Sequence, residues 1–279
     1  MYLGFLVPLF VFSIERFSSR FIKSTAKQIR GWLTKRENDY ILDKYSHIDT
    51  SVLTNKKLIS IAPGGILGFY LLGTCTYIKE NYKLDDYVFT GASAGAWNAF
   101  FMTYKNDPNE FALRLLTDDD LSKVKTIHEL EYVIKYKLLK TYTENDFDTS
   151  KLFIGVTTLR KFLPRVKVFS NFENIEDAIN CCIGSSHIPF ITGGLLNRFH
   201  DILTFDGGFS HYPYLNTQPP VLHITASMWK KDDKYSYFDL CDYITSFKNG
   251  SVTFIELFDE GYKDAKKNKE TLDTLFETK

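Results

Sequence analysis

The stretch ISIAPGGILGFYLLG, residues 59–73, joins one apolar run to another through a proline and three glycines. The first run is β-branched and predicts a buried strand, and the second predicts a buried helix. Glycine lowers helix propensity and adds entropy to the unfolded chain, so Gly64, Gly65 and Gly68 do not serve stability here. We therefore expect a ligand or a second backbone segment to approach this turn closely.

A second glycine-rich turn, GASAG at residues 91–95, follows the next predicted strand and precedes a predicted helix. This G-x-S-x-G pattern places Ser93 in a strand–turn–helix connection, which exposes a nucleophilic serine at the edge of a sheet. Gly91 and Gly95 permit the sharp turn, and the N-terminus of the following helix favours negative charge. The pattern alone also fits an ordinary tight turn, but its position between a strand and a helix favours a nucleophile.

The two turns together can form an oxyanion hole. A serine that attacks an ester carbonyl generates an oxyanion, which preorganised backbone N–H groups stabilise. The amides of Ala94, Gly64 and Gly65 are the candidate donors, whereas Pro63 has no N–H group. A phosphate-binding loop is the alternative, but the sequence lacks the Lys-Ser/Thr of a Walker loop and the full dinucleotide-binding pattern.

A serine nucleophile needs a base, and the chain offers an aspartate or a histidine. Asp206, in TFDGGF, ends a predicted strand, with Gly207 and Gly208 leaving room around it; a D-G turn is the simpler interpretation. Aspartate is a weak base with a pKa of about 3.9, but burial in an apolar site would raise that pKa. A Ser–His–Asp triad stays open, with His187, His200, His211 and His223 as the candidate histidines. The other two, His47 and His128, are expected on the surface.

Predicted strands and helices alternate along the body of the chain, without an internal repeat. The predicted strands are 56–62, 86–93, 150–159, 164–172, 201–208 and 220–227. The predicted helices are 65–82, 94–106, 108–124, 126–142, 175–186 and 251–276. This alternation predicts an α/β fold with a mostly parallel sheet that is covered on both faces. In such folds ligands bind beyond the carboxyl ends of the strands.

Composition excludes several classes of function. The 279 residues are 44% hydrophobic, which suits one large domain, and a formal net charge of +0 gives no pull towards nucleic acid. The four cysteines contain no C-x-x-C pair, which argues against a disulfide framework or a zinc site. We expect buried free thiols in a reducing compartment at Cys75, Cys181, Cys182 and Cys241.

Basic charge is concentrated at the N-terminus. Residues 1–36 carry seven basic residues and one acidic residue, a net charge of +6. The opening run MYLGFLVPLFVFSI is too short to span a bilayer and lacks the features of a secretory signal. On a helical wheel five cations then lie opposite an apolar face: Arg16, Arg20, Lys23, Lys27 and Arg30. This pattern predicts a basic amphipathic helix in a membrane interface, the alternative being a helix packed on its own domain.

At these motifs the sequence resembles the patatin-like phospholipases, most closely the adiponutrin-like, lipid-droplet lipase branch. The resemblance covers roughly residues 57–265 and follows the order of the family. It is carried by APGGILGFYLLG, GASAGAWNA, CCIGSSHIPFITGG, the D-G-G of TFDGGF and FDEGYKDAKK. Three of these motifs, the glycine-rich loop, G-x-S-x-G and D-G-G, occur in the order of the family, which is far more specific than any one alone.

The resemblance implies a three-layer α/β/α sandwich with a Ser–Asp dyad and no catalytic histidine, metal or cofactor. Ser93 would be the nucleophile and Asp206 the base. The oxyanion hole would comprise Gly64, Gly65 and Ala94, with the loop shaped by Gly68. Pro63 departs from the family, which has glycine or a small residue there.

The sequence thus predicts a lipid acyl-ester hydrolase, a phospholipase or acylglycerol lipase, that works through an acyl-enzyme at a membrane or lipid-droplet surface. Residues 1–50 would associate with the membrane and residues 51–279 would form the catalytic domain, facing a reducing compartment. A transacylase, a Ser–His–Asp esterase and a lipid-binding scaffold with an inactive site are the alternatives. We expect a lipid ester as substrate and no nucleic-acid partner, and no protein partner is predicted.

Overall fold

The structure is a computed structural model that describes residues 44–49, 51–117, 121, 123–160, 163–210, 212–229 and 253–279. Several predictions lie outside these residues: the basic amphipathic helix with Arg16, Arg20, Lys23, Lys27 and Arg30, and the environments of His211 and Cys241. The proposed boundary between residues 1–50 and 51–279 stays a prediction.

The described residues form one mixed sheet of seven strands. The strands are β1 (Lys57–Ile61), β2 (Tyr87–Gly91), β3 (Leu152–Arg160), β4 (Leu163–Phe169), β5 (Asn197–Phe199), β6 (Ile202–Phe205) and β7 (Leu222–Ile224). Their order is β5-β6-β3-β2-β1-β7, with β4 also paired to β3. The sequence predicted six of these strands, and β5 is the additional one.

Helices flank this sheet and give the predicted three-layer α/β fold. They are α1 (Gly68–Asn81), α2 (Ala94–Met102), α3 (Pro108–Leu116), α4 (Ile127–Thr141), α5 (Ile175–Ser185), α6 (Phe254–Lys267) and α7 (Lys269–Leu275). Short 3-10 turns occupy Gly65–Leu67, Glu144–Asp146, Thr149–Lys151 and Gly207–Phe209. The predicted C-terminal helix over 251–276 is two helices, because the chain breaks at Asn268.

Four adjacent strands, β7, β1, β2 and β3, are parallel and form the centre of the sheet. Ile59 pairs with both Phe89 and Leu222, so these strands place their carboxyl ends at one edge. The outer strands β4, β5 and β6 run antiparallel to their neighbours. Strand β6, which precedes Asp206, is therefore outside the parallel set.

Strands β1 and β2 are buried along almost their whole length because both faces of the sheet are covered. Ile59 and Phe89 point into the main hydrophobic core with the helices. Leu58 and Val88 alternate to the opposite face, where they pack in a second cluster that includes Leu215. Because successive side chains of a strand point to opposite faces of the sheet, each short strand contributes to both hydrophobic cores.

Helices α1 and α6 pack so closely that their backbones touch at glycines. A Cβ atom on Gly261 would lie 1.9 Å from the carbonyl oxygen of Tyr70, and one on Gly73 would lie 2.0 Å from that of Phe258. The Thr74 hydroxyl donates a hydrogen bond of 3.2 Å to the Gly261 carbonyl across the same contact. Helix α6 is therefore fixed against the helix that follows the first glycine-rich turn.

We predict that Gly261→Ala destabilises the protein, because the added methyl group must push the two helices apart. Overpacking of this kind costs about 1–3 kcal/mol, which denaturant unfolding would measure. Gly194→Ala is the matched control, since a Cβ atom there would have no heavy atom within 4 Å. Equal stability of the two variants would contradict the close contact.

Candidate active site

Ser93 lies at the turn between β2 and α2 with φ of 55° and ψ of −129°. Few residues other than glycine adopt a positive φ, and such backbone strain is concentrated at functional sites. The flanking glycines allow the turn because their neighbours are backbone atoms. A Cβ atom on Gly91 would lie 2.1 Å from the Gly95 carbonyl oxygen, and one on Gly95 would lie 2.1 Å from that of Ile61.

The Ser93 hydroxyl donates a hydrogen bond of 2.6 Å to Oδ2 of Asp206. Its backbone amide donates to the hydroxyl of Ser185 at 2.9 Å, and that hydroxyl donates to the Gly155 carbonyl at 2.7 Å. Ser185 therefore ties the turn that carries Ser93 to strand β3. We did not predict this role of Ser185 from the sequence. The only signal there was a serine at the end of a predicted helix.

Two strands bring Ser93 and Asp206 together by meeting end to end. In β3, Ile154 pairs with Gly91 of β2 and Thr157 pairs with Phe205 of β6, while β4 occupies the other side of both. Strand β2 runs parallel to β3 and β6 runs antiparallel to it, so their carboxyl ends face each other. Asp206, the residue after β6, thus reaches the active edge from the direction opposite to that of Ser93.

The Asp206 carboxyl is 4% exposed and is fixed by its surroundings. Its Oδ1 accepts a hydrogen bond of 2.6 Å from the Gly208 amide, and its backbone carbonyl accepts one of 2.8 Å from the Thr157 hydroxyl. A Cβ atom on Gly207 would lie 2.3 Å from the Gly155 carbonyl oxygen, so this residue must be glycine. Burial raises the pKa of Asp206 to about 6, although the hydrogen bonds from Ser93 and Gly208 lower it.

The first glycine-rich turn lies beside Ser93. Gly64, Gly65 and Ala94 line the same cavity as the serine, and Gly65 has a φ of 54°. Ala94 is the first residue of α2, where amides lack a partner within the helix. The candidate oxyanion donors are therefore in one place. Pro63 contacts the other side of the site, since a Cβ atom on Gly208 would lie 3.2 Å from its ring.

Asn98 connects this turn to helix α2. Its Nδ2 donates to the Gly68 carbonyl at 3.0 Å and to the Ala94 carbonyl at 2.9 Å. Gly68 approaches α2 closely, because a Cβ atom there would lie 3.0 Å from that of Ala94. Asn98 was not predicted from the sequence, since a single polar residue in an apolar helix is as typical of packing as of a site.

The described histidines make their hydrogen bonds away from Ser93. His128 Nδ1 bonds to the Thr192 carbonyl, His200 to Tyr45 and Asp177, and His223 to Ser60. The His187 ring is buried, and burial lowers its pKa. His47 and His128 are exposed, as predicted. Asp206 is the group that bonds to the Ser93 hydroxyl among the described residues.

A cavity of about 430 Å³ opens from Ser93 and Asp206 into the protein between helices α1, α2, α3 and α4. Its walls are mostly apolar. The apolar lining includes Phe69, Leu72, Phe100, Phe101, Phe111, Leu115, Ile127, Leu130, Ile134 and Leu138. A volume of this size is typical of small-molecule sites, which combine apolar walls with a few polar groups.

Three of the predicted free thiols are confirmed: Cys75, Cys181 and Cys182 are unpaired and buried. Burial raises the pKa of all three thiols, which makes them poor nucleophiles. Within the described ranges, histidine, cysteine and carboxylate side chains form no group of three or more that could hold a metal ion.

The comparison with known proteins gives one distant similarity. The chain is 24% identical over 212 residues to the human protein "1-acylglycerol-3-phosphate O-acyltransferase PNPLA3", a match that covers 71% of this chain. It spans 42% of the length of that relative. No protein-family model matches the chain. The similarity is to a patatin-like protein and agrees with the resemblance in the motifs.

We predict that a fluorophosphonate probe labels Ser93 at a rate that depends on the ionisation of Asp206. A base accepts a proton only in its ionised form, so the rate should be constant well above pH 6 and fall about tenfold per pH unit below it. Mass spectrometry of labelled protein across a pH series measures this. An inflection near pH 4, the ordinary aspartate value, would contradict the effect of burial.

Proposed function

We propose that the protein is a lipid acyl-ester hydrolase in which Ser93 and Asp206 form the catalytic dyad. The observation that carries this proposal is the 2.6 Å hydrogen bond from the Ser93 hydroxyl to a buried carboxylate, at the mouth of an apolar cavity. The distant similarity to a patatin-like protein supports a lipid substrate.

Acylation begins when Ser93 Oγ attacks the carbonyl carbon of the ester and its proton passes to Oδ2 of Asp206. The carbonyl oxygen becomes an oxyanion, which the amides of Gly64, Gly65 and Ala94 stabilise. One such donor contributes roughly 2.7–4 kcal/mol in other serine hydrolases. The tetrahedral intermediate then collapses, and the departing alkoxide takes the proton from Asp206. The acyl group stays on Ser93.

Deacylation repeats these steps with water. Asp206 accepts a proton from the water as the oxygen attacks the acyl-enzyme, and the proton returns to Ser93 Oγ when the fatty acid leaves. A lipid alcohol in place of water would give acyl transfer. This second candidate function is favoured by the name of the relative, an O-acyltransferase. The same dyad serves both reactions.

A lipid-binding scaffold with an inactive site is the alternative that Pro63 motivates, because proline removes one amide from the first turn. Two features support an active site instead. Gly64, Gly65 and Ala94 remain as candidate donors beside Ser93. The proline ring also has a packing role against Gly208, whose amide bonds to Asp206.

We also propose that the protein acts at a membrane or lipid-droplet surface that faces a reducing compartment. Phe190 is 71% exposed and lies between Ile188 and Thr192, which line the cavity. An exposed aromatic beside the opening suits contact with lipid. Membrane contact is proposed for the N-terminal cations Arg16, Arg20, Lys23, Lys27 and Arg30. No helix in the described part of the chain is long and apolar enough to cross a bilayer.

We predict that Ser93→Ala and Asp206→Asn each lower the hydrolysis of a soluble acyl ester by at least about a thousand-fold, since each removes one member of the dyad. Release of p-nitrophenol measures the rate. Ser150→Ala and Asp259→Asn are the matched controls, because both side chains are exposed and neither lines the cavity. Full activity of either dyad variant would refute the mechanism.

We predict that replacing the five N-terminal cations by glutamine weakens binding to anionic vesicles at least tenfold and leaves soluble-ester hydrolysis unchanged. Each cation near an anionic surface contributes about 1 kcal/mol. Vesicle sedimentation at low and high salt measures binding, with neutral vesicles as the control. Deletion of residues 1–36 should act in the same direction. Unchanged sedimentation of both variants would show that this segment does not bind lipid.

A further inference from the structure

Helix α4 forms one wall of the cavity, and one of its lining residues is acidic whereas the others named here are apolar. Ile127, Leu130, Ile134 and Leu138 line the cavity at helical spacing, and Glu131 lies within the same stripe. A leucine at position 131 would complete an apolar wall. The carboxyl group therefore requires a reason other than packing.

The Glu131 side chain is buried and incompletely satisfied. It is 5% exposed, and its Oε2 has no hydrogen-bond partner among the described residues. Burial, together with the charge of Asp206, raises the pKa of Glu131 well above its usual value, although the hydroxyl of Ser186 partly offsets this. Burial therefore favours the neutral carboxylic acid, which has one O–H donor and further acceptor capacity.

A buried polar atom without a partner costs about 1–3 kcal/mol. The proposed mechanism does not use Glu131, and the described part of the protein leaves Oε2 unsatisfied. The cavity is where a partner can enter, since Glu131 is one of its lining residues. A ligand that supplies a hydrogen-bonding group at this point would remove the cost.

Glu131 lies at the end of the cavity near the proposed dyad. The charge of Asp206 acts on it, as does the hydroxyl of Ser186. Ser186 directly follows Ser185, whose hydroxyl holds the Ser93 amide. Because α4 is apolar on both sides of Glu131, this carboxyl lies in the wall that would face an acyl chain, close to the carbonyl end of that chain.

We propose that Glu131 determines acyl-chain specificity, and that the preferred substrate is an ester whose acyl chain carries a hydroxyl close to the carbonyl carbon. This inference rests on the proposed function, because it assumes that the cavity holds the acyl chain. A hydroxyl both donates and accepts hydrogen bonds, so it can pair with Oε2 in either protonation state of Glu131. An unsubstituted chain would leave Oε2 without a partner, and a site with an unpaired buried polar group rejects such a ligand.

The test compares β-hydroxyacyl and unsubstituted p-nitrophenyl esters of the same chain length, with ω-hydroxyacyl esters as the positional control. The wild-type protein should favour the β-hydroxyacyl ester at least tenfold in kcat/KM over both others. Glu131→Leu should reverse this preference, and Glu131→Gln, which keeps a donor and an acceptor, should retain part of it. Thermal melting of both variants verifies that they fold; the leucine variant should be at least as stable as the wild type.

Equal kcat/KM values for the β-hydroxyacyl and unsubstituted esters, or a preference that Glu131→Leu leaves unchanged, would overturn this inference and leave the hydrolase proposal intact. A second measurement separates the two proposals. Calorimetric binding of the corresponding methyl esters to Ser93→Ala tests the cavity without catalysis. A tenfold preference for the β-hydroxyacyl methyl ester, with no hydrolysis by the wild type, would support the role of Glu131 and refute the hydrolase. Equal binding of both methyl esters would overturn the role of Glu131.

Discussion

The hydrogen bond from Ser93 to the buried Asp206 carboxylate is the interaction on which the site depends. Burial raises the pKa of this carboxyl from 3.8 in the unfolded reference to about 6. Because the folded-state value is the higher one, folding stability falls as pH rises through this interval, and ionised Asp206 destabilises the protein above it. The hydrogen bonds from Ser93 and the Gly208 amide lower this cost and hold the carboxylate in place.

The hydrogen bond between Ser93 and Asp206 is possible because backbone segments approach each other closely at glycine residues. Gly95 lets α2 start directly against the end of β1, and Gly207 lets the turn after β6 pass over Gly155 of β3. Further contacts join the turns to each other, since Asn98 bonds to Gly68 at the start of α1 and Pro63 packs beside Gly208. The candidate nucleophile, base and oxyanion donors therefore belong to one rigid unit.

The sequence predicted those features that depend on local pattern. The strands before both glycine-rich turns, and the strand–turn–helix geometry at Ser93, follow from a few adjacent residues. The direction of β6 depends on pairing with β3 about 45 residues earlier in the chain, so local pattern could not show from which side Asp206 approaches Ser93. The burial of Glu131 could not be predicted from the sequence pattern. Glu129 and Tyr132 beside it are exposed, so a glutamate at this position is typical of a solvated helix face.

The two buried carboxyl groups of the cavity lie in different environments. Asp206 accepts two hydrogen bonds and burial raises its pKa to about 6, whereas Glu131 has the Ser186 hydroxyl nearby and an unpaired oxygen. The charge of Asp206 raises the pKa of Glu131 further, since two negative charges in one apolar cavity repel. The hydrogen bonds therefore favour negative charge on the carboxyl that bonds to Ser93. Environments that separate the pKa values of two acids in this way divide their roles, with the ionised acid as base and the neutral one as hydrogen-bonding group.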